Sequence, residues 1–232
     1  MNEKLNLHFD GRRHVAPLSA RCAAAVHWRD RPLGDEATFA EELRAGRSLR
    51  VAGGPCPLSR FYARRAAVLA ELPWRTNIWR TARRRLERTP PGTRTYIGVH
   101  VRRTDYEEWL ATHLDGRLVS PVYLQRALRY ARHAYPRPAF LVSSDDMVWC
   151  REHIVGTDVV FVGSDASEAV DLATLALCNH TILTYGTFGY VSAFLAGGDV
   201  LAPTGYSRIE YFLTNELRWA GRNITLFANA PP

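Results

Sequence analysis

Tyr96-Ile97-Gly98-Val99-His100-Val101-Arg102-Arg103-Thr104-Asp105-Tyr106 is the stretch on which the fold turns. Up to Val101 it is apolar except for His100, with β-branched Ile97, Val99 and Val101. A short apolar run of this kind reads as a strand buried on both faces, as in parallel sheets. The chain beyond it alternates regularly. Pro121 to Tyr135 reads as a helix, with Pro121 in its first turn and Leu124, Ala127, Leu128 and Ala131 on one face. Ala139 to Ser143 is a second strand, Asp145 to His153 a short helix, and Val159 to Val162 a third strand. Glu168 to Cys178 is a helix, Thr181 to Thr184 a fourth strand, and Thr187 to Leu195 a helix closed by Gly197-Gly198 at an expected left-handed cap. Asp199 to Ala202 is a fifth strand. This alternation predicts an α/β fold, a parallel sheet wrapped in helices, with ligands bound at the loops after the strands' carboxyl ends.

On the N-terminal side, Arg88-Thr89-Pro90-Pro91-Gly92 punctuates the chain. Phe61 to Leu72 and Ile78 to Leu86 read as amphipathic helices with arginine on one side. Pro17, Pro32, Pro55 and Pro57 fragment the region before them. The 232 residues carry a net charge of +7, yet +10 lies before Tyr96 and −3 after it. Of the 30 basic residues only Lys4 is lysine. A hydrophobic share of 47% is too high for a disordered chain. No apolar run approaches the roughly 18 to 20 residues that cross a bilayer. Met1 to Asp10 carries no signal-peptide core. Cys22, Cys56, Cys150 and Cys178 show no CxxC spacing, and four cysteines allow three pairings with no means of choosing. Two sequons, at Asn179 and Asn223, would matter in a secreted context.

Three segments carry candidate chemistry. Arg102 and Arg103 emerge after the first strand, where planar guanidinium donors suit phosphate oxygens, with Asp105 able to brace one of them. An arginine pair on a solvated loop is the plainer reading, as is a satisfied core histidine at His100. Ser143-Ser144-Asp145-Asp146 combines hydroxyls and acids at a helix start, which is also ordinary capping. Tyr185-Gly186-Thr187-Phe188-Gly189 joins a strand to a helix, either as an anion site built on amides and the Thr187 hydroxyl or as a tight turn. No Asp-x-Asp triplet and no zinc spacing occurs. The arginines between Arg80 and Arg88 read as a solvated helix face, with too few interleaved aromatics for nucleic acid.

Gly98 to Tyr106, Phe140 to Ile154 and Asp171 to Gly198 (DLATLALCNHTILTYGTFGYVSAFLAGG) together resemble the galactoside alpha-1,2-L-fucosyltransferases, glycosyltransferase family 11. HVRR followed by Asp is shared with alpha-1,6- and O-fucosyltransferases; the two later blocks select the alpha-1,2 branch. The resemblance implies inverting, metal-independent transfer of L-fucose from GDP-fucose to the 2-hydroxyl of a terminal β-galactose, with no cofactor. It implies a GT-B-type architecture of Rossmann-like halves, with residues 1–92 a partial acceptor-side region and 93–232 the GDP-fucose-binding domain. Animal members are type II Golgi membrane proteins, so this chain is expected to be a luminal portion whose N-terminal anchor is missing. Arg102 matches the family's diphosphate-binding arginine, and His100 and Asp171 match positions that address guanine. Arg103 and Asp105 would hold the loop, with Arg103 also near the nucleotide, Asp145 and Asp146 would lie close to the donor, and Thr187 and Phe188 would cradle phosphate and ribose. Arg102 and Asp105 are the expected catalytic residues. Asp105, Glu107, Glu108 and His113 remain alternatives for the base. The competing readings are an alpha-1,6- or O-fucosyltransferase and an inactive GDP- or glycan-binding remnant.

Overall fold

β3 (Thr95–Val101) lies at the centre of a six-stranded sheet, buried along its length except at Tyr96. It pairs in parallel with β4 (Pro138–Ser144) on one side and β6 (His180–Leu183) on the other. β5 (Val159–Phe161) adds to β4, while β7 (Val200–Thr204) and β8 (Ile224–Ala228) extend the other edge. The order is β5-β4-β3-β6-β7-β8 and every pairing is parallel. Chain order therefore runs outward from β3 in one direction, returns, and leaves β6 in the other. The crevice between β3 and β6 is the switch point where α/β sheets bind ligands.

This computed structural model describes residues 24, 27–32, 38, 41–42, 44–52, 62–70, 72–163, 167–208 and 223–229. Cys22, Cys56 and the start of the expected helix at Phe61 lie outside them. The chain divides into two compact units that meet in sequence between Pro57 and Leu58. In the smaller, β1 (Trp28–Pro32) and β2 (Ser48–Ala52) pair in parallel, and buried Glu42 accepts hydrogen bonds from Arg29 and Arg47. In the larger, α1 (Arg65–Ala70) and α2 (Thr76–Leu86) precede the sheet, so residue 92 falls inside this unit.

The remaining helices are α3 (Tyr106–Leu114), α4 (Pro121–Ala134), α5 (Met147–His153), α6 (Glu168–Ala176) and α7 (Thr187–Ala196). α4 buries Tyr123, Leu124, Ala127, Leu128 and Ala131, the expected stripe plus one tyrosine. Full burial of each large apolar side chain stabilises by about 1.5–3 kcal/mol. The Tyr123 hydroxyl donates to the carbonyls of Leu183 and Leu201, pinning the helix to β6 and β7. α7 ends at Gly197 with φ of 80°, the left-handed cap expected from sequence. The Arg65 guanidinium donates to the last carbonyls of that helix, Phe194 O at 2.6 Å and also Leu195 O. Four elements were not anticipated from sequence: α3, β8, and the paired strands β1 and β2.

Cys150 and Cys178 carry free thiols, and burial pushes Cys150 up to about 11. The sequon at Asn179 runs into β6, where Thr181 is 1% exposed and its hydroxyl is out of reach of solvent. No helix among the described residues is long and apolar enough to cross a membrane.

Candidate functional site

The sheet register brings the site together. His100 stands beside Ser143 on β4 and Leu183 on β6. Just beyond, the Arg102 amide donates to the Thr184 hydroxyl at 3.0 Å, joining the carboxyl ends of β3 and β6 across the switch point. The loop that follows is gathered by one carboxylate. Asp145 accepts from the amides of Arg103 at 2.9 Å and Thr104 at 3.1 Å, and from the Thr104 hydroxyl. Asp146 turns the other way and caps α5, accepting from the Trp149 amide at 3.1 Å. The two adjacent acids diverge, as expected at a helix start, and they do different work.

A cavity of about 590 Å³ opens at these strand ends. His100, Arg102 and Tyr106 line it from β3 and its loop, and Ser143, Ser144 and Asp145 from β4. Gly163, Ser167, Glu168 and Asp171 form the side towards α6, and Gly186, Thr187 and Phe188 the side at α7. The volume falls in the range of small-molecule sites. Arg102 is about one-third exposed, with Nη2 2.8 Å from Asp105 Oδ2 and Nε 3.5 Å from Asp145 Oδ2. These acids hold a cation at the mouth of the cavity, where an incoming anion meets it. Opposite, Gly186 occupies φ of 85° and supplies no side-chain cap, so the first-turn amides of α7 keep their donors for a ligand.

His100 is 5% exposed and its ring stacks on Phe188, centroids 5.1 Å apart. Burial lowers its pKa to about 4, with Arg102 pushing the same way and Asp145 opposing. The imidazole is therefore neutral at physiological pH. Its Nδ1 is buried without a hydrogen-bond partner. Gly189 makes room for it: a Cβ there would stand 2.8 Å from Nδ1.

Of the residues expected from sequence, His100, Arg102, Asp145, Asp171, Thr187 and Phe188 share this cavity. Arg103, Asp105 and Asp146 are not part of its lining. Arg103 lies 3.8 Å over the Trp149 ring, with Nε 3.4 Å from Asp146, so it braces the loop. Among the alternatives for a base, Asp105 pairs with Arg102, while His113 stacks on Trp109 and, like Glu107 and Glu108, lies outside the cavity lining. Sequence reasoning missed Tyr106, Ser167 and Glu168. Tyr106 stacks flat on Tyr185 at 5.1 Å, a cross-element contact with no sequence signal.

The family model described as glycosyl transferase family 11 matches residues 46–213, which contain the whole cavity lining. The chain belongs to glycosyl transferase family 11. It is 38% identical over 194 residues to galactoside alpha-(1,2)-fucosyltransferase 2 of Bos taurus, an alignment covering 80% of this chain and 56% of that protein. It is 39% identical over 188 residues to galactoside 2-alpha-L-fucosyltransferase SEC1 of Bos taurus, covering 77% of this chain and 50% of the relative. The chain thus spans about half the length of the curated relatives it matches. Its fold is shared with POFUT1, solved in complex with GDP-fucose, at a TM-score of 0.50 and 12% identity over 84% of this chain and 59% of that one.

Proposed function

We propose that this chain transfers L-fucose from GDP-β-L-fucose to the 2-hydroxyl of a terminal β-galactose, with inversion. The single observation that carries this reading is that Arg102 and Thr187 line one cavity at the β3–β6 switch point. A guanidinium and a helix N-terminus converging there suit a diphosphate, and the family relatives supply the sugar and the acceptor. The diphosphate would exchange for Asp105 on Arg102. As the bond from fucose C1 to the diphosphate breaks, negative charge grows on the leaving oxygen and positive charge on the fucose ring. Arg102 and the α7 amides would stabilise the former, a role that needs no metal and no cofactor. The acceptor hydroxyl attacks C1 from the face opposite the diphosphate, GDP departs and the hydroxyl proton passes to solvent, so the β-linked donor gives an α-linked product.

His100 and Phe188 form a neutral stacked wall, and Asp171 offers acceptor oxygens to the base. Family membership supports Golgi-luminal work on the β-galactosides of glycoproteins or glycolipids, with membrane attachment through an N-terminal anchor as in animal members. The test is incubation with GDP-fucose and lactose, followed by product analysis. The expected product is 2'-fucosyllactose; fucose on the reducing glucose, or transfer only to a chitobiose core or to peptide, would contradict the acceptor assignment.

A further inference from the structure

The arginines between Arg80 and Arg88 were expected to face solvent, and Arg80, Arg83 and Arg84 of α2 and Arg88 just beyond it do. Arg85 does not. It is 3% exposed, in the last turn of a helix that packs Ile78 and Ala82 against Ala169, Val170 and Ala173 of α6. Its Nη1 donates to Asp171 Oδ1 at 2.7 Å and lies 3.3 Å from Thr174 Oγ1. The other carboxylate oxygen, Oδ2, accepts from Ser143 Oγ at 2.9 Å. Asp171 and Ser143 line the cavity, whereas Arg85 stands behind them. Gly163 faces the pair: a Cβ there would be 3.2 Å from Asp171 Oδ2 and 3.4 Å from Ser143 Oγ. Hydrogen in place of a side chain keeps this corner open to a flat ring.

A carboxylate this buried requires a counter-charge, and Arg85 supplies it from the far side of the cavity wall. Among the described residues Arg85 of α2 and Ser143 of β4 hold the carboxylate, and together they orient it. An ionised carboxylate only accepts hydrogen bonds. Guanine presents N1–H and the 2-amino group side by side, a pair of donors that such an acceptor matches. Hypoxanthine keeps N1–H and lacks the amino group.

We propose that Arg85 is a positioning residue for nucleobase selection: it holds Asp171 as an oriented acceptor, so that guanine is preferred to hypoxanthine. This rests on the GDP-fucose reading given above. A merely structural Arg85 would alter stability or overall affinity and leave base selectivity alone.

The test is calorimetric titration of GDP and of inosine diphosphate into the full chain, wild type, Arg85→Met and Arg85→Lys, with folding checked by circular dichroism. Wild type is expected to prefer GDP by at least about tenfold, the scale of one well-placed base contact. Arg85→Met should bring the two affinities within about twofold by weakening GDP, and Arg85→Lys should narrow the ratio by at least about threefold, since a lysine lacks the fixed fork. If Arg85→Met does not fold, the ratio in Arg85→Lys decides. A wild-type ratio in the folded variants, with only affinity or melting temperature reduced, overturns the proposal. Equal binding of GDP and inosine diphosphate by wild type overturns it as well, while leaving the donor reading in place. Wild type that binds neither nucleotide overturns both.

Discussion

Asp145 shows how one side chain turns a loop into a site. Its carboxylate takes two amides and a hydroxyl from Arg103 and Thr104, and Arg102 lies beside it. Asp145→Asn keeps the shape but loses the charge and one acceptor oxygen. The expected outcome is a rise of at least about tenfold in KM for GDP-fucose, the scale of a lost charged hydrogen bond, with a smaller change in kcat. Steady-state kinetics check it, and an unchanged KM would remove the bracing role. His100 gives a pH prediction. Its folded pKa of about 4 lies below the ordinary value of 6.5, so its contribution to stability is complete above pH 6.5 and is lost as pH falls towards 4. Between pH 7 and 4.5 that loss amounts to roughly 2 to 3 kcal/mol. Urea melts of wild type and His100→Gln at both pH values should show the variant losing less by about that amount; parallel losses would contradict the buried neutral imidazole.

At the scale of elements, α7 is placed by glycines where a turn and a close approach require them. Gly189→Ala would set a methyl 2.8 Å from His100 Nδ1 and 3.3 Å from Leu183 Cβ. Overpacking of this sort costs about 1–3 kcal/mol. Thermal melts should show a drop of several degrees together with weaker GDP binding, because the displaced ring is the one stacked on Phe188. A melting temperature equal to wild type would contradict the contact. Most elements from β3 to β7 were legible in the sequence, since their apolar runs and helical stripes are local signals. α3 was not, because Glu107 and Glu108 at its start and exposed residues along it blur the pattern. β8 escaped for another reason: half-buried from Ile224 to Phe227, it completes the sheet by pairing with β7, a contact invisible locally. Arg85 was read as solvated because its neighbours in the arginine run are, while its partner Asp171 lies 86 positions away.

For the whole molecule, the strand order creates the crevice and the sequence places arginine, hydroxyl and glycine at its rim. The candidate site was legible wherever motif and topology coincide, at His100, Arg102, Asp145, Asp171, Thr187 and Phe188. The parts that needed coordinates were those set by packing between distant segments: the seat of Arg103 on Trp149, the wall at Tyr106, and the buried support of Asp171. The residues from Tyr96 onward, which include the whole cavity lining, carry a net −3, so the pull on an anion comes from Arg102 at the mouth and not from the overall +7. GDP affinity should therefore weaken as salt is raised from 50 to 500 mM (about these values), and an affinity flat with salt would contradict the electrostatic share. The most direct measurement is calorimetric titration of GDP into wild type and Arg102→Ala. The expected result is one site per chain in wild type, with affinity at least about tenfold weaker in the variant, as for loss of a charge-assisted contact to phosphate. Equal affinity in the two proteins, or no binding by the folded wild type, would contradict the account.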